Sequence, residues 1–417
     1  MSGVELSFEG GVTSPLGFAA AAVNAGLKPR GELDLGLLVS QTTCSAAGVF
    51  TQNRVRAAPV IYDEALLHER PGRIRGVVMN SKVANACTGE PGLKAAEAMA
   101  RAAEQALGLP ARSMLVLSTG VIGVQLPLDL IEKGIERASK RLDREEGGRA
   151  VARAIMTTDT KPKSLCARFT VNGRSVTVGG MAKGAGMVHP NLATMLAVIT
   201  TDAVVEVAQL QDLLRRAVDR TFNAITIDGD TSTNDTVLIL ANGSSEVAVG
   251  RDLEGWRQFE EAVFSVAREL ALMIVKDGEG ATRFVELTVT GAPTEVMARE
   301  IGRAIARSAL VKTALAGGDP NWGRILAAAG AAGFQIVPER LHLSVRAASR
   351  ENPGSEQWIT LAQNGAAAEV DERMLKPLFE AQELALRLDL GMGGAEATVW
   401  TCDLSEEYVR INARYRT

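Results

Sequence analysis

The sequence has no apolar run long enough to cross a bilayer, because charged residues interrupt each hydrophobic stretch well short of the ~20 residues that a spanning helix needs. Its four cysteines, Cys44, Cys87, Cys166 and Cys402, form no C-x-x-C pair, and its three histidines, His68, His189 and His342, stand far apart. That spacing argues against a metal site or a disulfide framework and for a reduced, cytoplasmic protein. No block of five basic residues occurs and the net charge is −4, so nucleic acid is a poor candidate partner. The opening Met-Ser-Gly-Val-Glu-Leu lacks the basic and apolar regions of a secretory signal, and neither export nor a membrane partner is expected. Aromatic residues are only 4% of the chain, against 41 glycines. Elements built from such residues must approach closely, with small side chains at their contacts.

What is present is enough apolar residue, 46% of 417, for more than one core. Leu35–Ser40 and Ala46–Phe50 read as two short strands about a Gln-Thr-Thr-Cys-Ser linker, with Ile74–Met79 and Met114–Leu117 as further strands. Leu93–Leu107 is an alanine-rich helix with Pro91 in its first turn. Ser164–Thr170 and Ser175–Val178 pair about Asn172-Gly173, a strong two-residue hairpin signal. Helical spacing recurs in Val207–Thr221, Leu253–Val275 and Thr294–Ser308, and the last quarter alternates as strands. Helices and strands in mixed order, without regular βαβ units, predict an α+β fold.

The chain is organised around Gly179 to Ala203, where a loop bearing Lys183 runs through His189-Pro190-Asn191 to Ala193-Thr194 and turns into the apolar run Met195–Ile199. Three readings are open: a phosphate-cradling loop, a self-cleaving nucleophile site, or a tight turn feeding a core strand. The first is weakest, because Lys183 precedes Gly184, no Ser or Thr follows, and a strand comes next rather than a helix. The acidic alternation of Asp228 to Asp235 lacks the terminal glutamate and helical flanks of a calcium loop. No metal and no cofactor is therefore expected.

The run Met181-Ala182-Lys183-Gly184-Ala185-Gly186-Met187-Val188-His189-Pro190-Asn191-Leu192-Ala193-Thr194-Met195-Leu196 closely resembles the signature of the ornithine acetyltransferase (glutamate N-acetyltransferase) family of arginine biosynthesis. Colinear with it are Ala47–Thr51, Ser118-Thr119-Gly120-Val121-Ile122-Gly123, Thr157-Thr158-Asp159-Thr160, Lys276-Asp277-Gly278-Glu279-Gly280, Gly318–Arg324 and the tail from Cys402 to Thr417. One departure is the Asn80–Gly89 stretch, where Lys82 and Val83 stand in place of small or polar residues. The resemblance implies a layered α/β/β/α architecture similar to self-processing aminopeptidases of the DmpA type. It implies a precursor cut between Ala193 and Thr194 into an α chain, residues 1–193, and a β chain, residues 194–417, which assemble as a heterotetramer. Thr194 is then the nucleophile, Thr119 and Gly120 form the oxyanion hole, and Thr157, Lys183, Thr194, Glu279, Asn412 and Thr417 bind substrate. Thr157 is favoured over Thr158, and residues added after Thr417 are expected to disturb substrate binding.

The chemistry has a physical basis of its own. A threonine inside a chain has no built-in base, whereas one freed at an N-terminus carries an α-amine of pKa ~7.7–8.0 beside its hydroxyl. The expected reaction transfers the acetyl group of N-acetylornithine to glutamate by a ping-pong mechanism, with acetyl-CoA as a candidate second donor. The rivals are an amidohydrolase of the same self-processing class and an uncleaved metabolite-binding module.

Overall fold

In the computed structural model, which describes residues 3–189, 195–251, 253–348 and 357–414, the strands of the first part are β1 (Glu5–Ser7), β2 (Phe18–Val23), β3 (Leu35–Phe50), β4 (Ile74–Asn80), β5 (Met114–Ser118), β6 (Lys163–Val171), β7 (Arg174–Lys183), β8 (Leu196–Thr201), β9 (Ile225–Thr226) and β10 (Thr236–Ala241). The central strands β5, β8 and β10 are buried at every residue and read as apolar runs because both of their faces are covered. Between them lie α1 (Ala58–Glu69), α2 (Gly89–Leu107), α3 (Leu128–Ser139), α4 (Gly147–Ala154), α5 (Val207–Arg220) and α6 (Leu253–Lys276).

The side-chain alternation of each strand sorts these elements into four layers. Along β8 and β10, Leu196, Val198, Leu238 and Leu240 face inward, where they meet Leu38, Val77, Met79, Leu115 and Leu117 of β3, β4 and β5. Their neighbours Ala197, Ile199, Val237 and Ile239 face outward onto α5 and α6, through residues such as Leu210, Leu214, Val263 and Leu270. On the far side, Val78 and Val116 pack on Ala95 and Met99 of α2 and on Ile131 and Ile135 of α3. Helices, sheet, sheet and helices thus stack as the implied α/β/β/α layers. The small residues sit where layers meet, as Ala95, Ala96, Ala100 and Ala103 do on the buried face of α2.

β3 is one continuous strand, which corrects the reading of two strands around a linker. Residues 45–50 pair antiparallel with β10, and residues 35–40 pair with β2 and β4, so the strand passes from one sheet to the other. Gln41, Thr42 and Thr43 are exposed at the crossing. They contain no glycine or proline to break the extended backbone, and threonine favours it. The hairpin between β6 and β7 forms as its sequence predicts, with Asn172 and Gly173 at φ 52° and 77°.

The rest of the chain builds a second sheet unit. Its strands are β11 (Phe284–Ala292), β12 (His342–Ala347), β13 (Ile359–Gln363), β14 (Ala366–Ala367), β15 (Glu383–Asp389) and β16 (Ala395–Cys402), in the order β14-β13-β12-β15-β11-β16-β9. Helices α7 (Glu295–Ala306), α8 (Ala309–Gly317), α9 (Trp322–Gly330) and α10 (Glu372–Phe379) cover one face through Ile301, Val311, Ile325 and Phe379. The last helix, α11 (Glu406–Arg414), buries no residue of its own and leads back to the first unit. Among the described residues no helix is long and apolar enough to cross a membrane.

Candidate active site

Strand directions bring the quoted motifs together. β4 and β5 run parallel and end at Asn80 and Ser118, while β7 ends at Lys183 beside Leu196, where β8 begins next to the start of β10. Loops leaving the first three strands therefore meet loops entering the last two. A cavity of about 100 Å³ lies there. It is lined by Thr119, Gly120, Thr157, Lys183, Glu279 and Asn412, six of the residues implied by the family pattern, and by Thr158. Ala193, Thr194 and Thr417 lie outside the described residues. A larger cavity of about 1070 Å³ opens beside the Gly318–Gly323 turn and α10. We place the chemistry at the smaller one, because the buried titratable groups converge on it.

The Thr119-Gly120 corner is held by backbone pairing to the Asn80–Thr88 loop. The Thr119 amide donates to the Asn80 carbonyl at 3.1 Å, and the Val121 amide to the Lys82 carbonyl at 2.9 Å. Among the described residues nothing accepts from the Gly120 amide, which leaves one free N–H beside one hydroxyl. Gly120 adopts φ 134°, and a Cβ there would stand 2.1 Å from the Lys82 carbonyl carbon. Gly120→Ala is accordingly expected to cost about 1–3 kcal/mol through strain and displacement of this loop, read from the urea midpoint.

Two side chains that sequence reasoning passed over lock this corner from below. Asn234 Nδ2 donates to the carbonyls of Ala84 and Ser118, at 2.7 and 2.8 Å. Asn80 Oδ1 accepts from the Ser118 hydroxyl at 2.7 Å, and its Nδ2 donates to the Val83 carbonyl at 2.9 Å. All three side chains are buried. The loop that carries Lys82 and Val83 supports the corner through its backbone, and the Val83 side chain is buried in the core beneath it.

Lys183 is buried and donates to Thr119 Oγ1 at 3.3 Å, so the threonine's own proton is free to point into the cavity. Burial lowers the Lys183 pKa from its ordinary value, with Asp159 pulling the other way. Burial pushes the Asp159 carboxyl up, but Lys183 and Lys163 more than offset this and hold it below the usual carboxylate range. Asp159 accepts from the Gly184 amide at 2.7 Å and from the Thr157 amide at 3.0 Å. Lys163 bridges Asp159 and Asp277 at 2.7 and 2.6 Å, and Asp277 accepts from the Thr160 amide. One buried charged knot thus ties together the Thr157–Thr160 loop, the end of β7 and the Lys276–Gly280 loop.

The last of these loops presents Glu279, whose amide donates to the Ala185 carbonyl at 2.7 Å. Gly186 allows the approach, since a Cβ on it would meet Glu279 Oε2 at 2.4 Å. Asn412 on α11 donates to that same oxygen at 2.6 Å. Tyr408, one turn earlier, donates to Asp228 Oδ2 at 3.2 Å, and Ser405 donates to the Gly280 carbonyl at 2.6 Å. The C-terminal helix is in this way anchored over the cavity. Among the described residues no three His, Cys, Asp or Glu side chains converge as metal ligands do.

The chain is similar to known proteins over nearly its whole length. The ArgJ family model matches residues 19–417. An arginine biosynthesis bifunctional protein ArgJ from Thermotoga neapolitana is 48% identical over 404 residues, 97% of this chain and 99% of the relative. The protein of the same name from Symbiobacterium thermophilum is 47% identical over 98% of this chain and 99% of its own length. Among solved structures, ornithine acetyltransferase from Mycobacterium tuberculosis, complexed with ornithine, is 40% identical over 45% of this chain and 98% of that one, with a TM-score of 0.41. Matched by the family model over nearly its whole length and by curated relatives from end to end, the chain belongs to the ArgJ family of acyltransferases.

Proposed function

We propose that the chain is a glutamate N-acetyltransferase that passes the acetyl group of N-acetylornithine to glutamate through an ester on Thr194. The observation that carries this reading is the convergence of Thr119, Gly120, Thr157, Lys183, Glu279 and Asn412 on one cavity where β8 begins, two residues after Thr194. The mycobacterial relative binds ornithine, which supports an amino-acid ligand for such a cavity.

In this reading the Thr194 hydroxyl first attacks the Ala193 carbonyl, the peptide nitrogen leaves, and water hydrolyses the ester. The products are an α chain of residues 1–193 and a β chain of residues 194–417, which pair two and two. The freed amine of Thr194 then takes the proton of its own hydroxyl as the oxygen attacks the acetyl carbonyl. The Thr119 hydroxyl and the Gly120 amide stabilise the developing oxyanion. Ornithine leaves with the proton, and the amine of glutamate attacks the acetyl ester. Lys183 suits the α-carboxylate common to both substrates, and Glu279 suits the ornithine ammonium. No cofactor takes part. The bifunctional name of the curated relatives supports acetyl-CoA as a second donor to the same Thr194.

Thr119→Ala removes one of two oxyanion donors, and kcat is expected to fall roughly 10²–10³-fold without reaching zero. The ester itself is tested by isotope exchange. Labelled ornithine incubated with N-acetylornithine, without glutamate, should become labelled N-acetylornithine. Glutamate-dependent transfer with no such exchange would rule out the ester, and acetate released in the absence of glutamate would make the protein a hydrolase.

A further inference from the structure

A second charged cavity, of about 260 Å³, lies where the loop after β1 meets the start of α4 and the outer face of β6. It shares no residue with the cavity lined by Thr119 and Lys183. Arg144, Arg149 and Arg168 converge on it. Glu9 and Glu145 line it too, yet none of the three guanidiniums forms an ion pair among the described residues. Arg144 donates to the Ser14 carbonyl at 3.4 Å and Arg149 to the Glu9 carbonyl at 3.2 Å, whereas the Arg168 side chain donates to nothing among the described residues. Three cations thus stand together with most of their donors free.

α4 begins there with no side-chain cap, and among the described residues nothing accepts from the amides of Gly147, Gly148 or Arg149. Such amides carry partial positive charge and suit an anion, but a helix start by itself is no ligand site. Thr13 supplies an independent sign. It is 4% exposed, lines the same cavity, and its hydroxyl has no hydrogen-bond partner among the described residues. Its Oγ1 lies against Gly148, where a Cβ would stand only 2.4 Å away. Buried hydroxyls in folded proteins are nearly always paired, so this one marks the place of a polar ligand.

We propose that this cavity binds a phosphate group, held by Arg144, Arg149 and Arg168, by the Thr13 hydroxyl and by the first-turn amides of α4. Guanidinium forks present paired N–H donors that match phosphate oxygens, and the remaining oxygens accept from the hydroxyl and the amides. The three cations outnumber the two carboxylates, and the helix start adds to their side. The phosphate is free or carried on a small metabolite, since both offer the same oxygens to these groups. None of the residues named takes part in acetyl transfer, so the inference stands apart from that reading.

Isothermal titration calorimetry at low ionic strength, with inorganic phosphate and with adenosine 5′-monophosphate, tests this on the purified full chain. Saturable binding of one ligand per chain is expected. Arg168→Met should weaken it at least about tenfold, because charge-assisted hydrogen bonds are lost. The Arg168 side chain has no hydrogen bond within the protein to lose, so the fold should survive, with circular dichroism as the check. Thr13→Val keeps the buried shape, removes the hydroxyl and should weaken binding roughly threefold. Arg174→Met is the control for general charge, since Arg174 pairs with Glu246 outside the cavity, and it should stay within about twofold of the parent. A nucleotide bound more tightly than inorganic phosphate, with the same sensitivity to the variants, assigns the group to a carried metabolite; the reverse order assigns it to free phosphate. No saturable binding of either at millimolar concentration, binding that Arg168→Met and Thr13→Val leave unchanged, or an equal loss in Arg174→Met would overturn the proposal.

Discussion

Thr194→Ala is expected to yield a single chain of 44.1 kDa and to lose acetyl transfer by roughly 10⁴-fold or more. Both losses have one cause. In the proposed mechanism the hydroxyl that attacks the Ala193 carbonyl in maturation is the same atom that takes the acetyl group in turnover, so one substitution removes both steps. The residual rate measures what the cavity achieves by binding and by the oxyanion donors alone. Thr194→Ser keeps the oxygen and should be cut and active, so the pair separates loss of chemistry from loss of shape. Denaturing electrophoresis and an assay of ornithine release read the two effects. An uncut Thr194→Ala protein that still transfers at the parental rate would place the nucleophile elsewhere.

Lys163→Met should produce the largest stability effect. It keeps most of the side-chain volume but leaves the Asp159 and Asp277 carboxylates buried, or nearly so, without the ammonium between them. Removing one partner of a buried ion pair costs about 3–5 kcal/mol, and a drop in Tm of roughly 10 °C follows for a unit of this size. The dependence on pH has a definite sign. Asp159 is depressed in the folded protein, so its stabilising contribution is complete above the unfolded carboxylate pKa of ~3.9 and is lost as pH falls through the folded value. The difference between parent and variant should therefore be full at pH 7 and shrink below about pH 4. Activity should fall with it, because the knot fixes the loops that present Thr157 and Glu279 and the strand end that presents Lys183. Equal Tm values at pH 7 would show that the knot does not hold these segments.

Much of this could be read in the sequence where the signal was local. Asn172-Gly173 set the hairpin, and the apolar runs of β4, β5 and β8 stand within a residue or two of their bounds. The order of the layers could not be read that way. When both faces of a strand are covered, the alternation that would say which residues face which neighbour disappears, and the layering came from family resemblance instead. β3 differs from the two-strand reading because polar residues need not end a strand, and Gln41 to Thr43 only mark where it crosses between sheets. At the site, the residues that touch the cavity lay in recognisable motifs, but those that hold them did not. Lys163 meets Asp277 across 114 positions, and Asn234 meets Ser118 across 116. Pairings at such separation leave no trace in spacing, although Asp159 and Asp277 already stood inside the quoted motifs.

In the proposed mechanism backbone scission places a hydroxyl and an amine on one residue, which then carries the acetyl group. The most direct measurement is mass spectrometry of the purified protein before and after incubation with N-acetylornithine. The expected result is a β chain that begins at Thr194 and gains one acetyl group, which is lost on addition of glutamate. A chain intact at the Ala193–Thr194 bond that transfers acetyl at full rate, or a cut protein acetylated at some other residue, would contradict it.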